Sequence, residues 1–199
     1  MASSVATEIK PTFRFEEDGH KYFLDDSEIP SVTQVIGAVL DGNAGFYTEE
    51  SRMRGTVVHL ACELDDLGQL DESALDDEIM PYLAAYQKFK QEHLCEWEGI
   101  EERLCHETYG FAGTIDRRGI VVSNRTVLDI KTGAKSDIHD IQLAAYVMLL
   151  NHTHTHRFIL QLDDDGTYSL HQICRNTLRG DINIFLSALA VFTWKKGRF

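Results

Sequence analysis

No stretch of the 199-residue sequence approaches the roughly 18 uninterrupted apolar residues that a helix needs to cross a bilayer. The first residues, Met1-Ala2-Ser3-Ser4-Val5, lack the basic region and apolar run of a secretory signal, which points to a cytoplasmic protein. Cysteine is sparse. Cys62, Cys95, Cys105 and Cys174 are scattered with no Cys-x-x-Cys pair, which excludes a zinc ribbon and a disulfide framework and leaves buried reduced thiols as the reading. There is no internal repeat, no low-complexity segment, no flexible linker, and no Gly-rich loop ending in Gly-Lys-Ser/Thr of the kind that drives a nucleotide-powered motor. Positive charge is also short: 19 Lys and Arg against 32 Asp and Glu leave a net charge of -13. That balance opposes long-range attraction of a polyanion. It does not exclude one, because carboxylates that hold divalent cations attract phosphate, and local basic clusters outweigh the total under physiological screening. The acid gathers at residues 63–78 and at Asp163-Asp164-Asp165, which places it away from the motifs described next.

What is present is ordinary folding material, 43 % apolar and long enough for one domain with a substantial core. Residues 12–24 read as a hairpin, with Phe13 and Phe15 alternating and Asp18-Gly19 as the turn. Pro30 and Ser31 suit the first turn of a helix carrying Val32, Val35, Ile36 and Val39 at helical spacing. A second helix over 46–67 bears Met53, Val57, Leu60 and Leu64, and an acidic loop or short exposed helix follows to Asp77. A third helix spans about 79–93. The pattern then changes to strands at 97–106, 109–122 and 125–131, with turn signals at Tyr109-Gly110 and Ser123-Asn124. A helix at 137–150, a strand pair around Asp164-Asp165-Gly166 and a helix near 177–194 complete the chain. The expectation is a single α/β domain over 1–199. Residues 1–95 form its largely helical N-terminal part with the hairpin, and 96–199 form a central mixed sheet with flanking helices.

The chemistry concentrates in Val127-Leu128-Asp129-Ile130-Lys131-Thr132-Gly133. On a strand, Asp129 and Lys131 share one face while Leu128 and Ile130 fill the core from the other. The preceding strand ends its glycine-rich run at Asp116, and a hairpin connection brings Asp116 across from Asp129 or close to it. Two converging carboxylates repel unless a hard divalent cation such as Mg²⁺ sits between them. Lys131 beside such a cation is suited to orient or deprotonate a water, or to stabilise charge on phosphoryl oxygens. His59, in Gly55-Thr56-Val57-Val58-His59, is a candidate nitrogen ligand that shifts preference toward Mn²⁺. Gln142 and Tyr146, four apart on one helix face, are placed to hold Lys131, a water or a phosphate. Glu101 or Glu102 is a candidate further ligand, and strand parity selects one of them. Arg52, Arg54, Arg117, Arg118, Arg125 and Lys135 are candidate backbone contacts to DNA, with Lys195, Lys196 and Arg198 at the far end. Tyr109 and Phe111 are candidates for stacking on an unpaired base or for the core. His152, His154 and His156 alternate like a metal tract but fall in a connection and read as polar without metal.

Taken together, Gly55-Thr-Val-Val-His59, Gly113-Thr-Ile-Asp116, Asp129-Ile-Lys131 with Thr132-Gly133, and Gln142-Leu-Ala-Ala-Tyr146 resemble the RecB-type branch of the PD-(D/E)XK nucleases, particularly small phage-type exonucleases. Ile29-Pro30-Ser31-Val32-Thr33 resembles the opening of such proteins, and the likeness covers roughly residues 29–150. It implies a restriction-endonuclease-like core binding one or two Mg²⁺ or Mn²⁺ ions through His59, Asp116, Asp129 and the Ile130 backbone carbonyl. It also implies that Lys131 serves the attacking water while Gln142 and Tyr146 support the site. Some branches hold an iron–sulfur cluster through an upstream Cys and a C-terminal Cys group. With only Cys174 after position 105, none is expected here.

The leading expectation is therefore a DNA exonuclease in recombination, repair or replication-linked processing, with recombination or replication proteins as partners. A structure-selective or site-specific endonuclease with the same chemistry is the second reading. A non-catalytic nucleic-acid-binding or assembly protein is the third. Digestion polarity, strand preference and oligomeric state have no signature in these residues.

Overall fold

The computed structural model describes residues 11–40, 48–151 and 155–197. Strands β1 (Phe13–Glu16), β2 (Lys21–Leu24) and β3 (Ser27–Ile29) form a small antiparallel sheet. Helix α1 (Val32–Val39) follows, started by a capping box in which the Ser31 side chain and Gln34 exchange hydrogen bonds with each other's backbone N–H. Helices α2 (Glu49–Asp66) and α3 (Met80–Glu92) come next. Then β4 (Cys95–His106), β5 (Phe111–Val121) and β6 (Asn124–Lys131) run as an antiparallel meander. Helix α4 (Asp137–Leu150) crosses over so that β7 (His156–Leu162) lies parallel to β6, and β8 (Tyr168–Gln172) returns antiparallel before α5 (Leu178–Lys196). The five-stranded sheet has the order β4-β5-β6-β7-β8. It is a mixed sheet flanked by helices, in the arrangement of a restriction-endonuclease-like core.

Alternation along β6 explains the layering. Val127 packs into a core shared with α1, α4 and α5, while Leu128 and Ile130 pack into a second core with α2 and α3. A strand covered on both faces must be apolar on both, apart from the residues that face the site. The N-terminal sheet is tied to the main one through Ala112, whose N–H donates to the Pro30 carbonyl at 2.9 Å, and through Tyr22, whose hydroxyl lies 2.7 Å from Thr114 Oγ1.

Several expectations need correction. A third N-terminal strand, β3, follows the hairpin. For Phe111, read as either a stacking or a core residue, the structure decides for the core: it is wholly buried against Phe185. Of the four thiols only Cys62 is buried, because Cys95 and Cys105 lie on the edge strand and Cys174 is exposed after β8. His152, His154 and Arg198 lie outside the described residues. Among the described residues no helix is long and apolar enough to cross a membrane.

Candidate metal centre

The strands part where the site begins. β5 and β6 pair from Val121↔Asn124 to Arg117↔Leu128 and no further. In place of the next rung, the Asp116 carboxylate accepts the Ile130 N–H through Oδ2 at 2.7 Å. A backbone donor that would otherwise be unpaired is satisfied, and a carboxylate is fixed in the gap between the strands.

The neighbouring pair, β4 and β5, changes face at the same place. Rungs join Ile100 to Arg117 and Glu102 to Ile115, and the rung between them, Glu101 with Asp116, is absent. Ile115 packs toward α4, whereas Arg117 reaches Asp66 on α2 and Tyr86 on α3, so β5 turns over at Asp116. Glu101 makes the matching change on β4 by adopting φ +45°. Left-handed backbone at a non-glycine residue costs on the order of 1–3 kcal/mol and persists where its surroundings impose it. The outcome is that Glu101, not Glu102, turns toward the site. Glu102 is held instead by Arg118, whose Nε donates to it at 2.6 Å.

His59 approaches from α2. Its Nε2 lies 2.9 Å from the Ile130 carbonyl, which accepts, leaving Nδ1 facing Asp116 Oδ2 at 3.6 Å and Glu101 Oε1 at 3.8 Å. One ligand atom from each of His59, Glu101 and Asp116 lies within 4.8 Å of the others. One imidazole and two carboxylates make a donor set that suits a hard divalent cation. The electrostatics agree: burial alone would lower the His59 pKa, but Asp116 and Glu101 outweigh it and push it up to about 9. The pocket already draws positive charge to itself. The Ile130 carbonyl, expected as a metal ligand, is engaged by His59.

Asp129 and Lys131 border the same cavity. Asp129 is wholly buried; its Oδ1 accepts from Gln142 Nε2 at 2.9 Å and its Oδ2 lies 2.7 Å from Lys131 Nζ. Gln142 Nε2 also donates to the Tyr146 hydroxyl at 2.8 Å. Gln142, itself bonded to Tyr146, thus orients Asp129. Burial holds Asp129 above the usual carboxylate range, with Lys131 opposing the shift. Gly113 permits this closeness, since a Cβ there would meet Tyr146 at 3.1 Å, Leu149 at 3.2 Å and Val32 at 3.3 Å.

All seven side chains border one cavity of about 630 Å³. Further walls come from Ser31 and Thr33 at the start of α1, within the Ile29–Thr33 motif, and from residues the motifs missed: His20 in the β1–β2 turn, Tyr22 on β2, and Glu63 on α2 one turn beyond His59. Of the missed residues only Glu63 carried a signal, its helical spacing from His59. The acid of 63–78 is therefore not remote from the motifs: Glu63 borders the cavity and Asp66 binds Arg117.

The basic residues divide. Arg52 borders the cavity. Arg54 borders a smaller cleft of about 160 Å³ together with Lys131 and His139, and lies 3.8 Å from Glu78. Arg117 is a correction: it is wholly buried, because it compensates Asp66 and Glu101, and cannot meet a phosphate at the surface. Arg118 is engaged by Glu98 and Glu102, and Lys135 by Asp140 at 3.3 Å. Lys196 reaches Glu28 at 3.5 Å, while Lys195 and Tyr109 are exposed. Arg125 is the second residue of β6, at the opposite end of the strand from Lys131.

A metal ligand must be neutral imidazole, so a cation entering this cluster displaces the His59 proton. Below pH 9 the apparent affinity for Mn²⁺ is expected to rise about tenfold per pH unit, and to level off above it. Calorimetry at pH 7.5 in two buffers of different ionisation enthalpy should report close to one proton released per ion. No buffer dependence would remove His59 from the ligand set.

No family model matches this chain, and no curated protein does. Among solved structures it is similar to an alkaline exonuclease, LHK-Exo, from Laribacter hongkongensis, at 14 % identity and TM-score 0.41, over 84 % of this chain and 91 % of that one. It is also similar to LHK-Exo in complex with dAMP (16 %, TM-score 0.45, 84 % and 89 %) and to SSO0001 (14 %, TM-score 0.30, 77 % and 84 %).

Proposed function

We propose that the protein is a metal-dependent deoxyribonuclease that hydrolyses phosphodiester bonds from DNA ends, in recombination, repair or replication-linked processing. The observation that carries this reading is Lys131: a cationic donor 2.7 Å from buried Asp129, bordering the same cavity as the His59, Glu101 and Asp116 cluster. A structural metal site would not need the amine.

His59, Glu101 and Asp116 would hold Mg²⁺ or Mn²⁺, one or two ions, with the Asp129 carboxylate of the same cavity as a further ligand. When bound, the ion supplies Lewis acidity toward the phosphoryl oxygen and makes water more acidic. The chain's own residues do the rest. Lys131 donates hydrogen bonds to the attacking water or to the phosphoryl oxygens where charge grows. Gln142, itself fixed by Tyr146, holds Asp129 so that the carboxylate and the ammonium keep one geometry. Arg52, and Arg54 in the adjoining cleft, position the phosphate backbone without reading bases.

The test is a time course on linear, nicked and closed circular DNA with Mg²⁺ or Mn²⁺. Linear DNA is expected to be degraded, EDTA to abolish the reaction and the closed circle to survive. Cleavage of the closed circle would replace the end-dependent reading with an endonuclease. Mn²⁺ binding without cleavage of any DNA would leave a binding protein.

A further inference from the structure

Arg117 follows Asp116 directly, yet its guanidinium is wholly buried and touches neither the cavity nor the surface. A buried charge requires an opposite charge and hydrogen-bond partners. Nε donates to Asp66 Oδ2 at 2.6 Å and lies 3.1 Å from the Tyr86 hydroxyl. Nη1 points the other way, donating to Glu101 Oε1 at 3.2 Å and to the Asp116 carbonyl at 2.6 Å. One rigid fork therefore spans from the end of α2 to the two acidic residues of the cation cluster. The residue it grips on β4 is the one at φ +45°, and the carbonyl it grips on β5 marks where that strand turns over. An ordinary ladder would supply rungs there. The Glu101–Asp116 rung is missing, and Arg117 takes its place.

We infer that Arg117 is a positioning residue for the metal centre, holding Glu101 in its left-handed conformation and fixing Asp116 so that both carboxylates meet His59. This rests on the proposed metal-dependent function and assigns the residue that builds its ligand set. Lysine cannot reproduce the role, because a single ammonium can pair with Asp66 but cannot also span to Glu101 and the Asp116 carbonyl.

Mn²⁺ affinity, measured by calorimetry on the full chain, separates positioning from bulk stability. Arg117→Lys is expected to weaken Mn²⁺ binding by about 10–100-fold, the usual effect of losing a group that orients ligands. The metal concentration needed for half-maximal cleavage should rise in step, with activity recovering at high Mn²⁺. Acting in part through Glu101 also predicts non-additivity: the loss of Mn²⁺ affinity in Arg117→Lys with Glu101→Gln should be smaller than the product of the two single losses. If Arg117→Lys does not fold, Tyr86→Phe carries the test, since it removes one partner of Nε and should shift Mn²⁺ affinity in the same direction by a smaller factor. Unchanged Mn²⁺ affinity in the folded variant, or additive losses in the pair, would overturn the inference while leaving the nuclease reading intact. Failure of the unaltered protein to bind Mn²⁺ at all would overturn both.

Discussion

Replacing Lys131 with alanine is expected to lower the rate of DNA cleavage at saturating metal by about 10²–10³-fold, the effect of removing one donor aimed at developing charge. The same substitution should not weaken the metal. Lys131 is a positive neighbour of the cluster, and its charge opposes protonation of His59. Removing it makes the pocket more attractive to a cation, so the Mn²⁺ dissociation constant should stay the same or fall. This pairing of opposite signs distinguishes the chemistry from the scaffold. Glu101→Gln, by contrast, should weaken Mn²⁺ and be partly rescued by excess metal. Asp129 loses its ionic partner in the Lys131→Ala variant, and burial already favours its neutral form. It can take up a proton instead of remaining as an uncompensated charge, so the protein should still fold. Measured cleavage and calorimetry on one preparation decide the matter: a Lys131→Ala protein that keeps full activity ends the catalytic role of the lysine, and one that loses Mn²⁺ binding would make the lysine structural.

The β-core was legible because alternation and turn residues are local. Asp129 and Lys131 share a face of β6 because a strand has period two, whatever surrounds it. The three-residue strand β3 was not legible: Ser27-Glu28-Ile29 carries no alternation, and its turn uses Asp25 at φ +53°, a conformation that aspartate tolerates without a glycine to announce it. Glu101 was ambiguous with Glu102 for a related reason. Parity selects a face only while the strand keeps its pleat, and β4 loses it at the very residue in question. The tertiary charge partners were the least visible. Arg117 stands beside Asp116 in sequence and so looked like a surface contact near the site. Its partner Asp66 looked like part of a solvated acidic run. Each assignment was reasonable alone, and both fail together because fifty-one residues of separation hide that the two meet.

That meeting supports the second large prediction. The Asp66 side chain is almost wholly buried at the end of α2 and serves three groups: Arg117 Nε at 2.6 Å, Lys90 Nζ at 2.6 Å and the Tyr86 hydroxyl at 2.5 Å. Neutralising it in Asp66→Ala leaves a buried guanidinium without the nearer of its two anions, and breaking one side of a buried pair costs about 3–5 kcal/mol. Against a typical total stability of roughly 5–15 kcal/mol the loss is large. For a chain of this length it corresponds to a fall in Tm of about 6–20 °C by calorimetry or circular dichroism. Lys90 moderates the effect, since it also pairs with Asp65 at 2.6 Å and is partly exposed. Arg117 has no such alternative on that side, and its remaining anion is Glu101. The stability loss should therefore come with altered metal binding, because an Arg117 that has lost its anchor on Asp66 no longer holds Glu101 and the Asp116 carbonyl in place. Asp66→Ala is thus expected to melt lower and to bind Mn²⁺ more weakly. A variant that melts as the unaltered protein does would show that the buried network contributes nothing measurable to the fold.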